Sequence, residues 1–385
     1  DMSTIVTGTD TKLLLDELKL NIGDEDVLRV QASGRVGYIS AEKKWRLEDT
    51  DLELKVHSSS SRALARAFGF EMPNLGPVVA NAAIIDKDQA LGVESLRLVV
   101  GEVGRPTLST TGSIGDLYTP GKVRIETVLN MDGHDFARLA DNQDLPELGA
   151  LTGNILISDS KGALGIDRLR IESNKADLLS LKLDGRFDDF SKPQTFQLNG
   201  HVKARDANLW WALFDLEWPG HGLVEMDARL TGGDGGSLLK AHLSSGEEKI
   251  DLLLNTDFQS SPPQIKGKIT AENFFLPDPA EKKREQLARE REEKNNKKAK
   301  QPVFSREPMD LDWLKKADVD LSVDILSFDR ANSEALSANA RAVLKSCLLS
   351  VGPATLVYPK GQASLYLKLC LLYTSDAAAD THFGV

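Results

Sequence analysis

The stretch Leu179-Ser-Leu-Lys-Leu-Asp-Gly185, followed by Phe196-Gln-Leu-Asn-Gly-His-Val202, decides the fold class of this chain. Apolar and polar residues alternate in both segments, which places the apolar side chains on one face of a β-strand. Asp184-Gly185 is a pair typical of hairpin turns. The same alternation recurs at residues 52–56, 96–100, 123–129, 250–254 and 319–325. The pattern predicts a mainly β protein of repeated antiparallel strands, with short helices between repeats.

A repeat of 73 residues organises these strands. Met72-Pro-Asn-Leu-Gly76 reappears as Leu145-Pro-Glu-Leu-Gly149, so that the two prolines are 73 residues apart. Residues 91–98 reappear at 164–171 with the same shift, and Trp218-Pro-Gly-His-Gly222 is a weaker third copy. A fixed period of this kind indicates an array of similar units. Each unit is predicted to begin with a short helix-like segment, at 61–70, 134–141 and 207–213, followed by about four strands.

These landmarks divide the chain into seven segments. Residues 281–300 contain nine basic and five acidic residues, and with no apolar face to bury they are predicted to be a solvated insertion. A basic patch for lipid headgroups is the alternative. Residues 370–385 resemble translated sequencing-adapter read-through, so we treat them as non-native. The segments are 1–60 (strands of a truncated repeat), 61–133, 134–206 and 207–277 (β repeats), 278–303 (charged low-complexity insertion), 304–369 (a C-terminal β module) and 370–385 (tail).

Composition and motifs argue against several classes of function. The formal net charge of −11 disfavours nucleic acid as a partner. Two cysteines make no disulfide framework, and no apolar run approaches the ~18–20 residues that a spanning helix needs. Outside the tail, no histidine has metal-ligand spacing to another histidine or to a cysteine. The chain also contains no nucleophile elbow and no Walker loop, and Asp188-Asp189 is interpreted as a solvated turn. We predict a non-enzymatic protein without metal or cofactor.

The apolar side of such strands poses a physical problem, because a one-sided sheet needs a cover. Two sheets could pair face to face as a sandwich, or the chain could coil as a solenoid around its own core. The sheet could also stay open and bury its apolar face against a ligand. The alternation by itself leaves all three arrangements open.

Residues near the C-terminus carry a resemblance to a known family. The segments Phe304-Ser-Arg-Glu-Pro308, Ala317-Asp-Val-Asp-Leu321 and Leu349-Ser-Val-Gly-Pro353, with the residues between them, resemble the C-terminal module of the AsmA family. The charged insertion before the Phe-Ser start is also similar to that family, whereas Cys347 departs from it, since a small turn residue is usual there.

The resemblance implies a periplasmic protein, held in the inner membrane by a helix N-terminal to this sequence. It further implies that the repeated strands form an elongated, twisted, groove-like sheet of bridge-like lipid-transfer architecture. This β-groove would support phospholipid transport between inner and outer membrane, with a role in outer-membrane biogenesis and contacts with outer-membrane assembly proteins. The alternative is an assembly scaffold for outer-membrane proteins, with closed β-sandwich packing and no lipid path.

On the lipid-transport interpretation, phospholipid acyl chains lie on the apolar side of the strands and headgroups stay hydrated at the rim. The residues predicted to face lipid are Leu96, Leu98, Val123, Ile125, Leu179, Leu181, Leu183, Leu198, Val202, Leu252, Leu254, Leu321 and Val323.

Overall fold

The structure is a computed structural model, and it forms two compact units, Asp1–Lys203 and Ala204–Val385. It describes residues 1–9, 12–24, 27–37, 47–67, 69, 74–87, 90–102, 105–119, 121–132, 149–175, 178–192, 194–206, 222–233, 235–274, 317–329, 335–346 and 348–370.

The first unit is built from twelve described strands and one helix. Their bounds are β1 Met2–Thr9, β2 Lys12–Asp24, β3 Leu28–Gly37, β4 Glu48–Ser58, α1 Ser61–Ala67, β5 Val78–Lys87, β6 Ala90–Glu102, β7 Arg105–Ile114, β8 Arg124–Met131, β9 Ala150–Ser158, β10 Gly165–Lys175, β11 Leu179–Phe187 and β12 Phe196–Ala204, whose last residue opens the second unit.

Successive strands of this unit pair antiparallel, from β1 through β11. The last strand, β12, lies beside β11: the Asp188 N–H donates to the Thr195 carbonyl at 3.1 Å, and a Cβ on Gly185 would touch Leu198. Chain neighbours are therefore sheet neighbours, as expected when short turns join alternating segments.

The second unit continues the same plan with eight described strands. They are β13 Val224–Gly233, β14 Gly236–Ser245, β15 Glu248–Asp257, β16 Gln264–Glu272, β17 Asp318–Ile325, β18 Ser337–Lys345, β19 Leu348–Tyr358 and β20 Gly361–Cys370. Successive strands pair antiparallel except for β16 and β17, which pair parallel, with Gln264 opposite Asp318 and Ala271 opposite Ile325.

The parallel pair differs from the antiparallel pairing predicted throughout. Two strands can be parallel only if their connection returns along the length of a strand, which takes a dozen or more residues. The long connection between Glu272 and Asp318, which includes the charged insertion, satisfies that condition. Strand alternation carries no information about the direction of pairing, so the sequence pattern could not indicate it.

The predicted fold class is confirmed: the described residues are almost all β, in sheets of sequentially paired strands, with very little helix among them. The predicted helical segments 134–141 and 207–213 and the insertion 278–303 lie outside the described residues, as does the tail beyond Cys370. In the part of the chain that the structure describes, no helix is long and apolar enough to cross a membrane.

Equivalent positions of the 73-residue repeat have equivalent local structure. Gly76, Gly149 and Gly222 all have positive φ, at +108°, +75° and +115°, a backbone conformation that favours glycine. Two residues further on, Val78, Leu151 and Val224 are each buried at the start of a strand. Each glycine therefore turns the chain into the first strand of its copy.

A carboxylate clip recurs at the other end of the strands in the first unit. The Asp86 carboxylate accepts the Asp49 N–H at 2.6 Å, and the Asp159 carboxylate accepts the Lys122 N–H at 2.6 Å. Both donors have left-handed backbone, with φ of 55° and 54°. Asp159 lies 73 residues after Asp86, and Lys122 lies 73 residues after Asp49, so the repeat extends to the hydrogen bonds that hold its turns.

Gly165 offers a test of this repeated packing. A Cβ at Gly165 would lie 2.3 Å from the Phe187 carbonyl oxygen, whereas a Cβ at Gly200 would meet no atom within 4 Å. We expect Gly165→Ala to lower the free energy of unfolding by about 1–3 kcal/mol, as overpacking does. Gly200→Ala should leave it unchanged or raise it by up to about 1 kcal/mol. Urea denaturation of the two variants measures the difference, and equal midpoints would contradict the close approach of β10 and β11.

Candidate functional site

One face of the first unit's sheet collects apolar side chains across neighbouring strands. Residues directly opposite in a ladder lie on the same side of the sheet. In one such row Leu54 lies opposite Ala82, Ala82 opposite Leu96, Leu96 opposite Gly112 and Gly112 opposite Ile125. We call this side of the first unit its apolar face.

The second unit has an apolar face of the same kind. Leu252 lies opposite Ala241 on one side and Ile269 on the other, and Ile269 lies opposite Val323. The next row runs from Leu239 through Leu254, Gly267, Leu321 and Ala342. A strand spacing of ~4.8 Å makes such rows continuous for an apolar ligand.

The structure places the predicted lipid-facing residues on these faces. In the first unit, residues Leu96, Leu98, Ile125, Leu179, Leu181, Leu183, Leu198 and Val202 share one face, and Val123 directly precedes β8 in the same alternation. In the second unit, Leu252, Leu254, Leu321 and Val323 do so. Whether lipid contacts them stays a prediction.

Several residues of the apolar faces escaped the sequence analysis. Ile155 and Leu169 lie opposite each other, and Leu169 lies opposite Gly185, yet neither Ile155 nor Leu169 was predicted to face lipid. Asp184-Gly185 lies inside β11 and not in a hairpin turn as predicted. Leu169 was missed because β10 contains a bulge, seen as the register shift between Ile166 and Leu169, which reverses the phase of the alternation. Two apolar residues three apart inside a strand are the signal that would have located it, whereas Ile155 is in phase with Leu151 and Ile157 of β9.

Exposure differs sharply between the two sides of a strand. In β15, Lys249, Asp251 and Leu253 are exposed, whereas the intervening Ile250 and Leu252 are half-buried. The same alternation holds in β4, where Leu52, Leu54 and Val56 are half-buried between exposed neighbours. The apolar side chains are therefore sheltered from water without being fully covered.

Close backbone contacts among the described residues run along the sheet. Within each unit, the described elements in substantial contact are ladder neighbours, together with α1 against β4. Fully buried apolar residues of the first unit concentrate at one end of the strands, near α1, for example Val78, Val100, Met131 and Leu151. The middle of the apolar face stays partly open.

Polar atoms on the apolar faces satisfy one another. The Thr110 and Thr127 hydroxyls lie 3.0 Å apart, and those of Ser237 and Thr256 lie 2.7 Å apart. Because each hydroxyl has a partner, neither pair leaves an uncompensated polar group against an apolar ligand.

The opposite side of the sheet is charged, and ion pairs cross its strands. Arg170 contacts Asp184 at 2.9 Å, and Arg341 contacts Asp320 through two hydrogen bonds of 2.8 and 2.7 Å. The Arg341 guanidinium lowers the pKa of the Asp320 carboxyl through these hydrogen bonds and its charge. Cross-strand pairs of this kind favour one strand register and keep this face hydrated.

The described residues contain no group of three or more His, Cys, Asp or Glu side chains that could hold a metal ion. The candidate site is therefore a partly open apolar surface, with a charged surface on the other side of the sheet, and not a cluster of reactive side chains. Comparison with protein-family models, curated proteins and solved structures finds no match for the chain.

The Asp320–Arg341 pair predicts a pH dependence. A carboxyl whose pKa is lowered in the folded state stabilises the fold above its ordinary pKa of 3.8, and this contribution is lost as the pH falls through the lowered value. We expect Asp320→Asn to lower the free energy of unfolding by less than about 1 kcal/mol near pH 7, since exposed pairs contribute little. The difference in this free energy between the variant and the unaltered chain should shrink below pH ~3.8.

Urea denaturation at several pH values measures this difference. The double variant Asp320→Asn with Arg341→Gln is the control, because removing both partners should lower the free energy of unfolding no more than removing the carboxylate alone. A constant difference from pH 7 to pH 3 would contradict a role for the ion pair.

Proposed function

We propose that this chain is a non-enzymatic, AsmA-family protein of the periplasm that carries phospholipid along its apolar faces, between the inner and outer membranes. The observation that carries the proposal is the half-buried middle of those faces, in strands whose other side is exposed and charged. The family assignment within this proposal is supported by the repeated strand array and by the resemblance of residues 304–353 to the AsmA C-terminal module.

The partial exposure favours a ligand over a second protein layer. In a closed sandwich the inner faces interdigitate into a dry core, so Leu252 and Leu254 would be fully buried rather than half-buried. A contiguous apolar surface of more than a few hundred Å² is rare on soluble proteins and usually marks a binding site. The scaffold with closed packing is therefore the weaker candidate.

The dimensions suit an acyl chain. A strand of nine residues is roughly 30 Å long. An acyl chain spans about half of the ~30 Å hydrocarbon core of a bilayer, or roughly 15 Å. A chain lying along the strands therefore fits on the middle of the face, while the headgroup reaches the hydrated strand ends.

Transport on such a face is passive. Within a row, successive strands offer similar aliphatic side chains, such as Leu54, Ala82 and Leu96 in one unit and Leu239, Leu254 and Leu321 in the other. A lipid that moves by one strand exchanges one set of apolar contacts for another of similar strength. No residue has to form or break a covalent bond, which agrees with a non-enzymatic carrier.

Adjacent leucines of β15 provide a matched test. Leu252 lies on the apolar face, whereas Leu253 is 44% exposed on the charged face, opposite Lys240 and Lys268. We expect Leu252→Glu to lower the phospholipid that co-purifies with the protein by about tenfold, because a charge facing acyl chains costs on the order of 1.4 kcal/mol or more. Leu253→Glu should retain its lipid. Mass spectrometry of extracted lipid, normalised to protein, measures both.

Circular dichroism and thermal melting separate the two candidate functions. On an open face the new carboxylate reaches water, so Leu252→Glu should fold with a melting point close to that of Leu253→Glu. In a closed sandwich the same change would bury an unpaired charge and unfold the domain. A folded Leu252→Glu protein with undiminished lipid would remove this face from the lipid path.

A further inference from the structure

Aromatic residues cluster at one end of β11 and β12 in the first unit, the end away from α1. Phe187 ends β11 and Phe196 begins β12, and their ring centroids are 5.6 Å apart. Both rings are half-buried. Phe190 lies between them in the sequence and is 43% exposed. Leu164, which precedes β10, is also exposed. We call Leu164, Phe187, Phe190 and Phe196 the aromatic rim.

The aromatic rim continues the apolar face. Phe187 and Gly185 alternate with charged residues in β11, and Gly185 lies against Leu198 of the apolar face. Phe196 is two residues from Leu198 and therefore points to the same side of β12. The rim is thus the edge at which the apolar face of this repeat reaches solvent.

The turn that presents Phe190 is held by several hydrogen bonds. The Phe190 N–H donates to the Leu164 carbonyl at 2.8 Å, and the Thr195 N–H donates to the Lys192 carbonyl at 2.9 Å. The Asp189 carboxylate accepts the Ser191 N–H at 2.8 Å and the Ser191 hydroxyl at 2.5 Å. A phenylalanine ring is therefore kept at the surface by an ordered turn.

The preceding repeat has the same turn without aromatic side chains. The positions 73 residues earlier are Leu91, Ile114, Leu117 and Val123, and the Leu117 N–H donates to the Leu91 carbonyl at 2.8 Å, as in the second copy. Leu117 is 39% exposed, much like Phe190, whereas Leu91 and Val123 are only 5% and 6% exposed. The second copy has aromatic side chains at three of these positions and leaves them accessible.

Charges of both signs lie at the same end of β10 and β11 as the aromatic rim. The Lys161 ammonium lies 3.3 Å from the Asp167 carboxylate and 3.5 Å from that of Asp188, and the Arg186 guanidinium lies 3.5 Å from Asp188. These side chains are largely exposed except for Asp167. Such loose pairs can exchange partners with a headgroup that carries both an ammonium and a phosphate, whereas a purely anionic headgroup would meet the acidic members unpaired.

From these features we propose that the aromatic rim is the place where the acyl chains of a zwitterionic phospholipid enter the apolar face. The inference rests on the proposed function and adds a location and a headgroup class to it. The rings of Phe187, Phe190 and Phe196 take up the acyl chain at the solvent boundary, and the mixed charges around Lys161 and Asp188 receive the headgroup.

Site-specific photocrosslinking tests the location. The full chain carries benzoylphenylalanine at Phe190 (aromatic rim), at Leu181 (middle of the apolar face) or at Lys182 (charged face), and is irradiated with vesicles of equal phosphatidylethanolamine and phosphatidylglycerol. We expect lipid adducts at Phe190 and Leu181 well above those at Lys182, with phosphatidylethanolamine enriched at Phe190.

The outcomes distinguish the two proposals. Adducts at Leu181 but not at Phe190 would overturn entry at the aromatic rim and leave lipid carriage standing. Background adducts at both positions would overturn lipid carriage itself. Enrichment of phosphatidylglycerol at Phe190 would overturn the headgroup class.

A kinetic experiment adds a matched variant. Phe258 is an exposed phenylalanine in a turn of the second unit, where its N–H donates to the Gly235 carbonyl. We expect Phe190→Ser to slow loading of a fluorescent phosphatidylethanolamine from vesicles by about tenfold, with unchanged lipid at saturation, and Phe258→Ser to leave the rate unchanged. Equal slowing by both variants, or no slowing by Phe190→Ser, would overturn a specific role for the rim.

Discussion

The whole structure depends on one constraint: a β-sheet with one apolar side must shield that side from water, and among the described residues that shielding is partial. Alternation within each strand separates the faces, and ladder register aligns them, so that Leu54, Ala82 and Leu96 form one row. Hydrophobic burial normally drives such a face against a partner. The half-buried leucines in the middle of β15 show that this burial is incomplete in the protein alone.

The charged face makes this incomplete burial tolerable. Cross-strand pairs such as Arg170–Asp184 and Arg341–Asp320 favour one register of neighbouring strands, and a slip by a single residue would turn every apolar side chain to the wrong side. Hydroxyl pairs on the apolar face add order without exposing unsatisfied polar atoms. The sheet can therefore hold its shape while one face remains available to a ligand.

Much of this arrangement could be predicted from the sequence because alternation is a local property. Leu179, Leu181 and Leu183 share a face because side chains along a β-strand alternate with a period of two residues, and this period does not depend on the neighbouring strands. The prediction reached its limit where period two is interrupted. Bulges in β6 and β10 reverse the phase, and Leu169 was overlooked for that reason.

The sequence by itself determined the strand-rich class, the 73-residue repeat and the apolar side of each strand, since all three follow from residue spacing along the chain. Only the tertiary structure decided that β16 and β17 pair parallel, that the apolar faces are half-covered, and that the rings of Phe187 and Phe196 meet beside an exposed Phe190. These features depend on which strands become neighbours and on what lies above them. Contacts between residues far apart in the chain are set by packing, and a local pattern carries no record of them.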